Sequence, residues 1–171
     1  MGQKTNPNAN RLYINRAPQT TSCTKSKAKY ASDLKADMTL RKKIMDKYTG
    51  IEKVLIERTA NDAHVIIHCA RPGVIIGKKG ADAENMKKDL EKILQTSVHL
   101  SVKEVKNPDL SANLLAESVA LQLEKRVLFR KAVKRAIQSA MRAGALGVKV
   151  TVSGRLSGAE IARSETYKEG R

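Results

Sequence analysis

Leu34, Met38, Met45 and Tyr48 recur at helical spacing and Gly50 follows as a stop, so the pattern predicts a first helix from Ser32 to Tyr48. Ile51 to Thr59 then reads as a strand. After the polar Asn61-Asp62 turn, a second strand rich in Val65, Ile66 and Ile67 runs from about Ala63 to Ala70, which together predicts a hairpin. Arg71-Pro72-Gly73 ends it, and Val74 to Ile76 leaves room for one or two helical turns before Gly77-Lys78-Lys79-Gly80. Ala83, Met86, Leu90, Ile93 and Leu94 mark one face of a helix reaching about Gln95, with Lys87, Lys88, Glu91 and Lys92 opposite. Val98, Leu100 and Val102 alternate as a strand.

Asn107-Pro108-Asp109 interrupts this pattern and gives the boundary between a unit over 31–106 and a second over 107–171. Leu114, Leu115, Val119 and Leu123 predict an amphipathic helix from Ser111 to Leu123, and a further helix runs from about Glu124 to Met141. On a wheel of about 100° per residue, Phe129, Val133, Ala136, Ile137, Ala140 and Met141 gather on one side. Lys131, Lys134, Arg135 and Arg142 gather beside them, with Arg130 at the edge. Gly144 and Gly147 close the helix, and Val148, Val150 and Val152 alternate as a strand ending at Ser153-Gly154.

Residues 1–30 show no sustained period and carry Pro7, Pro18 and Thr20-Thr21-Ser22, which predicts a mostly extended arm. Its Lys4, Arg11, Arg16, Lys25, Lys27 and Lys29 are placed to lie along an RNA and order on binding; a frayed terminus is the alternative.

Charge changes the picture from a two-part globular chain to a polyanion binder. In 171 residues, 33 Lys and Arg oppose 17 Asp and Glu, a formal charge of +16 spread over the length. No apolar run approaches membrane-spanning length, and the N-terminus lacks a secretory apolar region, so a cytoplasmic protein without a membrane partner is expected. One Phe, four Tyr and no Trp disfavour an aromatic platform for bases and favour contacts to phosphates. Cys23 and Cys69 lie far apart, without metal or disulfide spacing.

Among candidate sites, Gly77-Lys78-Lys79-Gly80 suits an approach of backbone to phosphate, because two glycines remove Cβ obstruction and two lysines add charge. A Gly-x-x-Gly by itself is also an ordinary tight turn. Arg130-Lys131-Ala132-Val133-Lys134-Arg135 puts four cations on adjacent turns, which repel one another unless an anion neutralises them; an RNA-facing surface and a solvated helix face both fit. Ser153 to Arg163 has a glycine-rich start to a short helical segment but lacks the spacing of a phosphate-binding nucleotide loop. His64 and His68 share a strand face without a third ligand, and no residue set calls for catalysis. Neither a metal, a cofactor nor a small-molecule substrate is expected.

The order helix-strand-strand-helix-helix-strand, with Gly77-Lys78-Lys79-Gly80 between the two later helices, resembles a K-homology (KH) domain of the second topological type. That resemblance implies a loop, Gly77 to Gly80, that clamps the backbone of a short RNA strand. Met1-Gly2-Gln3-Lys4, Asn6-Pro7-Asn8 and Arg11-Leu12, then Ala70 to Gly80, then Ser153 to Arg163, together resemble the bacterial-type small-subunit ribosomal protein S-three family over nearly the full chain. The fold this implies is α+β, a type II KH domain followed by an α/β-sandwich-like domain. The implied partners are small-subunit rRNA in the head, neighbouring small-subunit ribosomal proteins and mRNA. By the same resemblance Arg130, Lys131 and Lys134 belong to a basic helix lining the channel by which mRNA enters, with lysine in place of arginine at the middle position. This loses bidentate phosphate geometry while keeping charge.

Members of the family continue past Glu169-Gly170-Arg171, so the second domain is expected to be C-terminally incomplete and less stable than the first. A free KH-type regulator of transcripts is the alternative function.

Overall fold

The computed structural model describes residues 3–22, 24, 26–59, 61–77 and 80–171. Strand β1 (Thr20–Ser22) precedes helix α1 (Lys27–Lys47), strands β2 (Ile51–Arg58) and β3 (Asp62–Cys69), helices α2 (Pro72–Ile76) and α3 (Ala81–Leu94) and strand β4 (Ser97–Glu104). These form a sheet in the order β1-β2-β3-β4, antiparallel only between β2 and β3. The expected hairpin is therefore present, and the helix-strand-strand-helix-helix-strand order holds.

Strand alternation decides which face is covered. Val54 and Ile56 of β2, Ala63, Val65, Ile67 and Cys69 of β3 and Val98 of β4 are buried with Leu40 and Ile44 of α1, Ile75 of α2, and Met86, Leu90 and Leu94 of α3. Fully burying one such Leu or Ile contributes about 1.5–3 kcal/mol, so this cluster is the main source of stability.

Two elements differ from expectation. Leu34, Met38 and Met45 identify α1 as a helix but not its buried face: they are exposed, and the residues turned inward are Leu40, Ile44 and the acid Asp37. Asp37 is accommodated because Arg58 of β2 reaches it. The arm is not simply extended either. It makes a 3-10 turn at Ala9–Arg11, then lays β1 parallel against β2 with Thr20 opposite Ile56, and α1 starts at Lys27. Arg41 of α1 holds that edge by donating to the Gln19 side chain at 3.2 Å and to the Thr20 hydroxyl.

Beyond a 3-10 turn at Pro108–Leu110 come α4 (Ala112–Glu124), α5 (Phe129–Arg142), β5 (Gly147–Gly154) and β6 (Arg163–Gly170). The second helix starts five residues later than the pattern suggests, since Arg126 takes a left-handed conformation (φ 58°) that breaks the chain between α4 and α5. Ser153 to Arg163 holds a single 3-10 turn at Leu156–Gly158. The strand β6 was not foreseen. It pairs antiparallel with β5 from Gly147 opposite Gly170 to Gly154 opposite Arg163.

Val119, Val133, Ala136 and Ile137 are buried together here, with Val148, Val150, Val152 and Tyr167 packed against them. The α4 helix also meets the first sheet. Asn113 donates to the Glu52 carbonyl at 2.9 Å, and both oxygens of Glu117 accept the Gly50 N–H at 3.0 Å.

Candidate nucleic-acid interface

The cationic side of α5 follows from the small residues on its other side. Ala132, Ala136 and Ala140 are buried beside Phe129, Val133 and Ile137, which turns Arg130, Lys131, Lys134 and Arg135 outward. All four line an open groove of ≈ 730 Å³ together with Leu128, Phe129, Gln138 and Ser157. The first turn of α5 contains no acid and its N-cap, Leu128, offers no side-chain hydrogen bond. Arg130 and Lys131 therefore stand at the positive end of the helix dipole, where cations are disfavoured by a few tenths of a kcal/mol to about 1 kcal/mol. A bound anion relieves both that and the mutual repulsion. One internal acid answers part of the charge: Glu165 of β6 lies 3.9 Å from Arg130 and 3.0 Å from Arg163. The Tyr167 hydroxyl, donating to Glu165 at 2.8 Å, is the main influence that lowers that carboxyl below its ordinary range, ahead of Arg163 and Arg130.

At the second candidate site, Lys78 and Lys79 lie outside the described residues. The glycines on either side have conformations that explain them. Gly77 sits at φ 70°, ψ −171°, a region open essentially only to glycine, and a Cβ there would run into the Asp82 carboxyl group. Gly80 is left-handed (φ 82°, ψ 2°) and caps α3.

Lys4, Arg11 and Arg16 are exposed on the arm. The Arg11 guanidinium donates to the Pro7 carbonyl at 2.9 Å, and Arg16 lines a groove beside β2 with Glu52, Lys53 and Glu57. Among the described residues, the cations of α5 and Arg16 of the arm line separate grooves. Sequence reading passed over Tyr13, which stands 85% exposed in the left-handed region (φ 64°) between Arg11 and Arg16. A bulky residue there costs on the order of 1–3 kcal/mol, and composition carries no signal of it.

Other groups are accounted for locally. His64 and His68 lie on the sheet face away from the helices, the ring of His64 5.9 Å from that of His99 across β3 and β4, and among the described residues no three His, Cys, Asp or Glu side chains form a metal-sized cluster. Cys69 is buried, which pushes its thiol pKa up, while Cys23 lies outside the described residues. No helix among those described is long and apolar enough to cross a membrane.

A mixed α+β sheet of this order, with a glycine-flanked loop between α2 and α3 and a cationic helix beyond it, defines an RNA-binding protein of the KH class. Residues 35–110 match the KH domain, and residues 119–171 match the ribosomal protein S3 C-terminal domain. The chain is 51% identical over its whole length to the small ribosomal subunit protein uS3 of Cereibacter sphaeroides, covering 72% of that protein. It is 52% identical to that of Thermodesulfovibrio yellowstonii and 48% to that of Coxiella burnetii, covering 79% and 76% of them. The chain belongs to the small ribosomal subunit protein uS3 family.

Proposed function

We propose that this chain is a structural constituent of the small ribosomal subunit, binding small-subunit rRNA in the head and facing mRNA with α5 where the message enters. It acts by binding and positioning, not by catalysis, in the company of neighbouring ribosomal proteins on cytoplasmic ribosomes. The observation that carries the reading is the placement of Arg130, Lys131, Lys134 and Arg135 on the first two turns of α5, around one open groove. Four clustered cations near a helix N-terminus, with only Arg130 in reach of an acid, suit a polyanion, and membership of the uS3 family makes a ribosomal RNA the natural one. The turn from Gly77 to Gly80 takes a phosphate backbone as a KH loop does, with Lys78 and Lys79 supplying charge. Lys4, Arg11 and Arg16 bring the arm to rRNA. The division at about Asn107 separates an rRNA-anchoring unit over 31–106 from the unit carrying α5, in keeping with the two hydrophobic clusters.

The test is sedimentation of the tagged full chain in lysate gradients at moderate and high salt, beside a variant with Arg130→Ala, Lys131→Ala and Lys134→Ala. Wild type is expected to travel with the small subunit at moderate salt. Unchanged co-migration of the variant assigns α5 to the message and not to assembly. Migration of wild type as free protein or in small RNA complexes overturns the ribosomal reading.

A further inference from the structure

We infer that Tyr13 is a base-stacking residue: a preformed turn in the N-terminal arm presents its ring, between Arg11 and Arg16, to an unpaired base of the RNA that the arm follows. The inference rests on the RNA-binding reading above and adds a ligand moiety and a named contact to it.

The turn is built, not frayed. Tyr13 donates its N–H to the Arg16 carbonyl at 2.9 Å, and the N–H groups of Ile14, Asn15 and Arg16 converge on the Arg11 carbonyl at 3.3, 3.2 and 3.1 Å. Leu12 and Arg16 form a bridge across it. This closure forces Tyr13 into left-handed backbone, a conformation that a β-carbon bearing an aromatic ring resists. Strain of this kind persists where surrounding contacts over-determine it and clusters at sites that bind.

What the strain achieves is presentation. Tyr13 and Ile14 are 85% and 82% exposed, and neither side chain contributes to either hydrophobic cluster. The other Phe and Tyr side chains are less free to act this way: Phe129 is buried, Tyr48 packs against the first hydrophobic cluster, Tyr167 is bonded to Glu165, and Tyr30 is only half exposed on α1. A ring on a rigid turn loses little conformational freedom on binding.

Charge selects the partner. No Asp or Glu occurs before Asp33, while Lys4, Arg11 and Arg16 flank the ring along the arm. An acid-free segment with cations on both sides of an exposed ring complements alternating phosphates and bases, since phosphate contacts position the chain and an aromatic face is indifferent to base identity. A neighbouring protein's apolar pocket is the competing occupant and gains nothing from the arginines.

The experiment uses the full chain and a transcript of small-subunit rRNA as the probe, with heparin as a polyanion lacking bases. Tyr13→Ala and Tyr13→Gly are expected to weaken rRNA binding by about 5- to 150-fold at fixed salt, the range of one stacked base. Tyr13→Phe should stay within about twofold, and no variant should change the slope of log K against log salt, because every charge is kept. Tyr13→Gly serves as the control for folding, since glycine accepts the left-handed turn without strain. As the chain has no Trp, Tyr13→Trp supplies a single reporter whose emission should be quenched by rRNA and not by heparin. Equal rRNA affinity of wild type and Tyr13→Ala overturns the inference while leaving RNA binding intact, whether or not the variant fails to co-sediment with subunits through a protein contact. Failure of wild type to bind the transcript overturns both.

Discussion

Asp37 of α1 accepts a hydrogen bond from Nε of Arg58 on β2 at 2.9 Å and a second from a terminal nitrogen of the same guanidinium, with both side chains almost inaccessible to solvent. Asp33, one turn earlier on α1, adds its carboxylate and its carbonyl at 3.2 Å. The cluster satisfies a charge that burial would otherwise make costly. Replacing Asp37 with Ala leaves the guanidinium with Asp33 alone and is expected to cost about 3 kcal/mol, the low end for a broken buried pair, read from urea unfolding. The double change Asp37→Leu with Arg58→Met should restore most of that loss. A single-variant cost below about 1 kcal/mol would mean that water reaches the pair.

Glu165 and Tyr167 set opposite pH limits on the β5–β6 ribbon. The carboxyl is held below its ordinary value chiefly by the Tyr167 hydroxyl, so its contribution is complete above the unfolded carboxylate range and is lost as pH falls through the lowered folded value. The phenol is raised above its ordinary value chiefly by the bond to Glu165 and next by lost hydration, so its contribution is complete below the unfolded phenol range and lost as pH rises through the raised value. Thermal unfolding followed from about pH 3 to about pH 11 should therefore show losses at both ends that Tyr167→Phe reduces. An unchanged profile in that variant would remove the pair from the account.

The Glu117 carboxylate bridges α4 to Gly50, at the turn between α1 and β2. A charged acceptor on a half-buried amide is worth about 1.5 kcal/mol, the low end for bonds to ions, and its loss in Glu117→Ala should let the second hydrophobic cluster open with less disturbance of the first. Hydrogen exchange is the appropriate reading. Amides of β2 to β4, over a cluster of fourteen buried side chains, are expected to outlast those of α5, β5 and β6, over a cluster of four. Equal protection in both parts would count against it.

Salt separates the cationic helix from the rest of the surface. Changing Arg130, Lys131, Lys134 and Arg135 to Ala should make the dependence of log K on log salt shallower by up to about 3 for single-stranded RNA, about 0.7 for each phosphate that is no longer neutralised. Parallel slopes for variant and wild type would show that α5 does not meet phosphates.

The first sheet was legible because β3 carries a β-branched run and β4 an apolar alternation, and because Gly50, Pro72-Gly73 and Gly77 to Gly80 mark the junctions that the polar Asn61-Asp62 turn does not. What escaped has identifiable causes. Arg163-Ser-Glu-Thr-Tyr-Lys-Glu-Gly170 contains a single large apolar residue, Tyr167, and pairs as a strand through its backbone and through rungs such as Thr151 with Thr166, so no periodicity announced it. The outward turn of Leu34, Met38 and Met45 was hidden because the inward face of α1 includes an aspartate, which reads as solvent-facing until Arg58 is placed opposite it. Of the candidate site, the cations of α5 were visible as a face of the wheel; their position at the dipole's positive end required the observed start at Phe129. Tyr13 needed the backbone of a turn that no hydrophobic pattern encodes.

The short parallel pairing of Thr20 with Ile56 makes the folded sheet a mooring for everything N-terminal to it. The turn that carries Tyr13 closes at Arg16, four residues from that mooring, so with the turn intact it can travel at most about 14 Å from the sheet edge when the intervening chain is extended. Once the globular part has settled on an RNA, the ring's search is confined to a small neighbourhood at high effective concentration. The leash length, and not only the ring, then selects which unpaired bases it can reach.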